Sequence, residues 1–116
     1  MKLHPSEAAF LKDLAESRAS WARTASDSLA NADLAWSDHP EAWAKLSSLL
    51  NTQEARVAFT TAVSELLSGL IHSALVTLDG GSALAETTLL TISDQDGHEF
   101  KDFLHEFWPE VDGDAA

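Results

Sequence analysis

The stretch from Asn51 to Gly81 constrains this chain more than any other. Phe59, Val63, Leu66, Leu67, Leu70, Ile71, Ala74, Leu75 and Leu78 recur at steps of three and four, which lays one apolar stripe along an α-helix. A helix over 52–78 would run roughly 40 Å at about 1.5 Å per residue, the width of a small domain. Ile, Val and Thr near its end leave a strand over 71–78 as the alternative, and the continuity of the stripe favours the helix. Ser68, Gly69, His72, Ser73 and Val76 form a second face of smaller residues, read as a helix-crossing site or a homodimer seam. Asp79-Gly80-Gly81 ends the helix, because glycine takes the left-handed cap conformation without a Cβ penalty.

The segments before this helix are also helical. Leu11, Leu14, Arg18, Trp21, Ala25, Leu29, Ala32 and Trp36 keep helical spacing between Pro5 and Pro40. Ser17, Ser20, Thr24, Ser26 and Ser28 compete for backbone hydrogen bonds, so the expectation is one helix to about Asp33 or two with a break near 23–27. Ser37-Asp38-His39-Pro40 is a boundary, since Pro40 suits only a first helical turn and biases His39 away from the α region. The next helix carries Trp43, Leu46, Leu49 and Leu50, and stops near Asn51, which with Glu54 resembles a capping box for the long helix. So short a joint places Trp43 near the start of that helix.

After Gly81 the character changes. Thr87 to Ser93 is rich in Thr, Leu and Ile and reads as a strand, and Asp94-Gln95-Asp96-Gly97 reads as a hairpin turn. Phe100, Phe103, Leu104, Phe107 and Trp108 return to helical spacing, with Pro109 as the expected stop and 110–116 as a frayed tail. The expected fold is α+β and helix-dominated, one domain over 1–116. It is a helical bundle around the long helix with a small C-terminal β-hairpin or strand and a short final helix. At 116 residues and 45% hydrophobic content such a domain buries about 65% of its unfolded surface without staples.

Charge separates the two ends. The formal net charge is −12, and residues 79–116 hold ten acids against Lys101 alone, whereas residues 1–78 hold nine acids against six Lys and Arg. That field repels nucleic acid and anionic lipid and steers basic partners inward. A chain with no cysteine has no disulfide framework and no thiolate chemistry. The opening Met1-Lys2-Leu3-His4-Pro5 lacks the apolar run of a signal peptide, and no unbroken apolar run reaches the roughly 18 residues of a membrane span. The expected setting is the cytoplasm, with neither membrane nor nucleic acid as a direct partner.

Four groups of residues bear on chemistry. Asp94-Gln95-Asp96-Gly97 resembles a calcium loop, but aligning Gly97 with the invariant glycine puts Ile92 and Phe103 where carboxylates are needed, so a plain turn is expected. His98, Asp102 and His105 follow i, i+4, i+7 spacing and, with His72 as a further ligand, are the metal candidates. The run His98-Glu99-Phe100-Lys101-Asp102 departs from a zinc-protease motif by having Asp for the second His. A polar helix face opposite Phe100, Phe103, Leu104 and Phe107 is the plainer reading, so no metal or cofactor is expected. His72 and Ser73 are adjacent on a helix and point about 100° apart, so they cannot pair as base and nucleophile, and a hydrogen-bonded, buried His72 is expected instead. Of Trp21, Trp36, Trp43 and Trp108, most should be core, with Trp108 the candidate exposed anchor among carboxylates.

The run from Leu70 to Gly81, with Asp96-Gly97 and Leu104-His105-Glu106, resembles a pattern in small uncharacterised bacterial proteins. The resemblance covers about the C-terminal half. It implies a bacterial origin and a coupled role for His72, Asp79, His105 and Glu106, and it brings no activity with it. The expected function is a non-enzymatic acidic interaction module of the immunity, antitoxin or inhibitor type. It would dock a basic protein partner through Asp79, Glu99, Asp102, His105, Glu106 and Trp108. The alternative is a metal-binding protein or hydrolase using His72, His98, Asp102 and His105.

Overall fold

A computed structural model describes residues 3–30, 33–101 and 103–115. Four α-helices account for most of them: α1 Pro5–Leu29, α2 Pro40–Leu49, α3 Gln53–Leu78 and α4 Leu104–Ala115, with a 3-10 turn at Ala83–Glu86. Asp102, a candidate ligand and partner contact in the sequence, lies outside the described residues.

The chain divides into two compact units, Met1–Ser17 with Ser68–Ala116, and Arg18–Leu67. In the first, Leu11, Ala15, Leu75, Leu104 and Trp108 form a closed apolar cluster, flanked by Phe10, Ile71, Leu78 and Phe107. In the second, rings meet edge to face in a row from Trp21 to Trp36, Trp43 and Phe59, with centroid separations of 5.6, 5.8 and 6.3 Å. Trp43 therefore does reach the start of α3, while Trp21 and Trp36 keep about half their surface in solvent.

α1 is one unbroken helix, and its serines and threonines do not interrupt it. Thr24 turns its hydroxyl back to the Ser20 carbonyl, 3.1 Å away, satisfying itself within the helix instead of diverting the backbone. Its buried side is mostly small, with Ala15, Ala19, Ala22 and Ala25 in sequence. Its larger buried members are Leu11, Leu29, Glu7 and Arg18, the last of which donates to Ser64 Oγ at 3.0 Å.

The α2–α3 joint is held by side chains on backbone. Arg56 donates to the Leu50 and Ser47 carbonyls at 2.7 and 3.2 Å, satisfying the last turn of α2, and Ser47 Oγ donates to the Leu29 carbonyl at 2.8 Å. The cap of α3 is Thr52, whose Oγ1 accepts from the Ala55 amide at 3.1 Å, and not Asn51 as the capping-box reading expected. The segment 71–78 is helical.

The expected β-hairpin does not form, and among the described residues there is no β-strand. What remains is one antiparallel bridge between Ser93 and Glu99, with Asp94 N to His98 O at 3.0 Å and Phe100 N to Ile92 O at 2.8 Å. An isolated two-stranded hairpin is marginal in water. Here the upstream half is drawn the other way, because the Thr87 and Thr88 amides bond back to the Leu84 carbonyl. The fold of the described residues is thus helical, with an irregular 87–101 segment that includes the expected strand over 87–93.

α4 likewise departs from its expected bounds. It starts at Leu104 and continues through Pro109 to Ala115. Pro109 removes the amide that would bond to the His105 carbonyl. Tertiary packing outweighs that loss: Trp108 is 1% exposed, Val111 and Ala115 pack on the apolar cluster, and Ser68 Oγ donates to Asp112 Oδ2 at 2.6 Å.

Candidate functional site

The junction between the end of α3 and the start of α4 gathers most of the candidate residues. It begins with a glycine-made helix stop. Gly80 has φ +80°, its amide bonds to the Thr77 carbonyl at 3.1 Å, and the Gly81 amide bonds to the Val76 carbonyl at 2.9 Å, which is the Schellman pattern. Asp79 is the cap residue of that stop, so its side chain has a fixed departure point. Its Oδ2 accepts from the His105 backbone amide at 2.9 Å and faces His105 Nδ1 at 2.6 Å.

Asp79 therefore acts on α4 as an N-cap residue does, but from another element. His105 is the second residue of α4, its amide has no intrahelical acceptor, and a carboxylate is favoured at that end of the helix dipole. An ionised carboxylate only accepts, so Nδ1 is the donor in this contact. His72 meets the His105 ring edge to face, with centroids 5.7 Å apart, and Phe103 lies 6.1 Å from it. His72 is half-buried and joins the junction through this ring contact. The dyad is flanked by an imidazole and a phenyl ring.

A second carboxylate–histidine pair ties the irregular segment to α1. Glu7, 1% exposed, holds its Oε1 2.9 Å from His98 Nε2, while its Oε2 has no hydrogen-bond partner among the described residues. His4 stacks on His98 with centroids 3.6 Å apart, and Ser6 Oγ lies 2.7 Å from His4 Nδ1. The same Ser6 hydroxyl donates to Asp94 Oδ2 at 2.5 Å, and Asp94 Oδ1 accepts from the Asp96 and His98 amides, each at 2.9 Å. The Ser6 hydroxyl, and after it the His98 amide, hold the Asp94 carboxyl below its ordinary value. Asp94-Gln95-Asp96-Gly97 is thus a turn closed by its own aspartate, with Gly97 at φ +83°.

The metal candidates are separated by these pairings. His98 is committed to Glu7 and His105 to Asp79, and among the described residues no group of three or more His, Asp or Glu could hold a metal ion. The His98 to His105 spacing was read on one helix, whereas α4 begins only at Leu104, so the periodicity does not apply to His98.

The partner-contact candidates divide as well. Trp108 is a core residue and not an exposed anchor: its Nε1 donates to the Ser68 carbonyl at 3.1 Å, which satisfies its one polar atom inside the fold. Asp79 and His105 are engaged with each other, whereas Glu99 and Glu106 are exposed, as are Glu86, Asp96, Glu110 and Asp114. A cleft of about 240 Å³ is lined by Leu78, Asp79, Leu89, Leu90, Phe100, Lys101 and Phe103 among others. Leu89, Leu90 and Phe103 are 70%, 46% and 55% exposed. Sequence reasoning missed these three because it assigned Leu89 and Leu90 to a strand and Phe103 to the buried side of a helix. Two adjacent leucines in a segment without helical periodicity were the signal available.

No protein family, no curated protein and no solved structure matches the chain.

Proposed function

We propose that this chain is a non-enzymatic protein-interaction module of the immunity, antitoxin or inhibitor type, and that its C-terminal segment docks a basic partner. The observation that carries the reading is the exposure of Leu89, Leu90 and Phe103 along one cleft, within a segment whose exposed acids include Glu99 and Glu106. Apolar anchors supply binding energy when a partner removes them from water, and the acidic excess of the segment they belong to favours Lys and Arg and speeds encounter. The carboxylate–histidine pairs support the platform: each uses its polar atoms to fix a helix end or a turn.

The test is a titration with a labelled amphipathic peptide carrying Leu and Lys, against a control of equal length with Glu in place of Lys. The basic peptide should bind and the acidic one should not. Affinity should fall as salt rises, and Phe103→Ala should weaken binding roughly tenfold while Glu99→Lys weakens it further. Equal binding of both peptides, or an affinity indifferent to salt, overturns the proposal.

A further inference from the structure

Lys101 is out of keeping with its surroundings. It is the one Lys or Arg in residues 79–116, against ten acids, and it lines the cleft whose walls include Leu89, Leu90, Phe100 and Phe103. A site that takes a basic chain gains nothing from a cation, which repels each Lys and Arg that enters. Lys101 makes no ion pair among the described residues, so its ammonium is not tied to a neighbouring carboxylate there.

The other charge in the cleft is already answered. Asp79 also lines it, but its side chain is 6% exposed and its Oδ2 takes both the His105 amide and Nδ1. The charge left for an incoming group is therefore that of Lys101, and the group it selects is an anion. The walls define what that anion is attached to. Leu89 and Phe103 are 70% and 55% exposed, and a Cβ on Gly80 would stand 3.3 Å from Leu89 Cδ2, so the open leucine is seated on the glycine that ends α3. At about 240 Å³ the cleft is smaller than the roughly 300–1,000 Å³ of small-molecule sites, a size suited to one large side chain and its backbone.

Resting on the docking of a basic partner proposed above, we infer that the cleft receives the last residue of that partner's chain, an apolar side chain such as Leu packed against Leu89 and Phe103 with its α-carboxylate on Lys101. A chain end is the one place where a basic peptide carries an obligatory anion beside an apolar side chain. The acids of the segment draw the basic body of the partner, and Lys101 fixes which end arrives.

Fluorescence anisotropy of the full chain with two peptides tests it. Both have the same Leu- and Lys-containing sequence ending in Leu and the same fluorophore capping the N-terminus, and one is the free acid, the other the C-terminal amide. Attraction to the acidic field alone makes the amide, with one more unit of positive net charge, the tighter binder. The expected result is the reverse: the free acid binds at least about tenfold tighter, and Lys101→Gln, with helical circular dichroism unchanged, brings it down to the level of the amide. An amide that binds as well as the free acid or better, or a preference for the free acid that survives in Lys101→Gln, overturns the inference and leaves the docking of a basic partner standing. Binding of neither peptide at low salt overturns both.

Discussion

Asp79 caps a helix to which it does not belong: its Oδ2 accepts the His105 amide in the first turn of α4 while also facing that residue's Nδ1. The Asp79 side chain is 6% exposed, so water cannot replace these bonds easily. Asp79→Ala should lower the unfolding free energy by about 1–3 kcal/mol, and Asp79→Asn, which keeps one acceptor, by less. Urea denaturation followed by circular dichroism measures both. Equal losses in the two variants would show that the oxygen acceptor is not what matters.

The Glu7–His98 pair makes a sharper claim, because Glu7 is almost wholly buried with one oxygen already unpartnered among the described residues. His98→Ala leaves a buried carboxylate alone and should cost about 3 kcal/mol or more. Adding Glu7→Leu to His98→Ala should recover most of that loss, since the penalty comes from the stranded charge. A double variant no more stable than His98→Ala would refute the account.

Asp94 links stability to acid pH. Its folded pKa lies below the ordinary 3.8, chiefly through the Ser6 hydroxyl. The contribution is therefore fully present above the unfolded value and is lost as pH falls through the folded one. Thermal midpoints of the parent should drop on acidification below about pH 4, and Ser6→Ala should flatten that part of the profile. Parallel profiles for parent and Ser6→Ala would contradict the assignment.

Pro109 sits inside α4 and leaves the His105 carbonyl without its helical donor. Pro109→Ala restores the amide and should raise stability by roughly 1–3 kcal/mol. The urea midpoint reports it, and an unchanged midpoint would mean that the helix has already absorbed the proline.

How far the sequence reaches can be judged on particular elements. The 3.6-residue period found α1, α2 and α3, and Pro40 and Gly80-Gly81 marked their ends, because backbone sterics act locally. The same period placed Phe103 inside, whereas it is 55% exposed, and the acidic neighbours of Trp108 made it the candidate exposed anchor, whereas it is 1% exposed. Periodicity names a face without saying what will cover it. Leu66, Leu70 and Leu75 looked alike in one stripe, and only packing against α1 and α4 chose Leu75 for the core.

The C-terminal third shows the other limit. Its acidic excess was legible as plain arithmetic, and so was its turn at Asp94–Gly97, since an aspartate closing on nearby amides needs no distant partner. The strand over 87–93 was not decided there, because a hairpin alone cannot outweigh its ordering entropy and tertiary contacts settle the outcome. Local chemistry determined where helices start and stop and where charge accumulates. Pairings between residues far apart in the chain, Asp79 with His105, Glu7 with His98 and Ser68 with Trp108, were decided only when the fold brought them within hydrogen-bond reach.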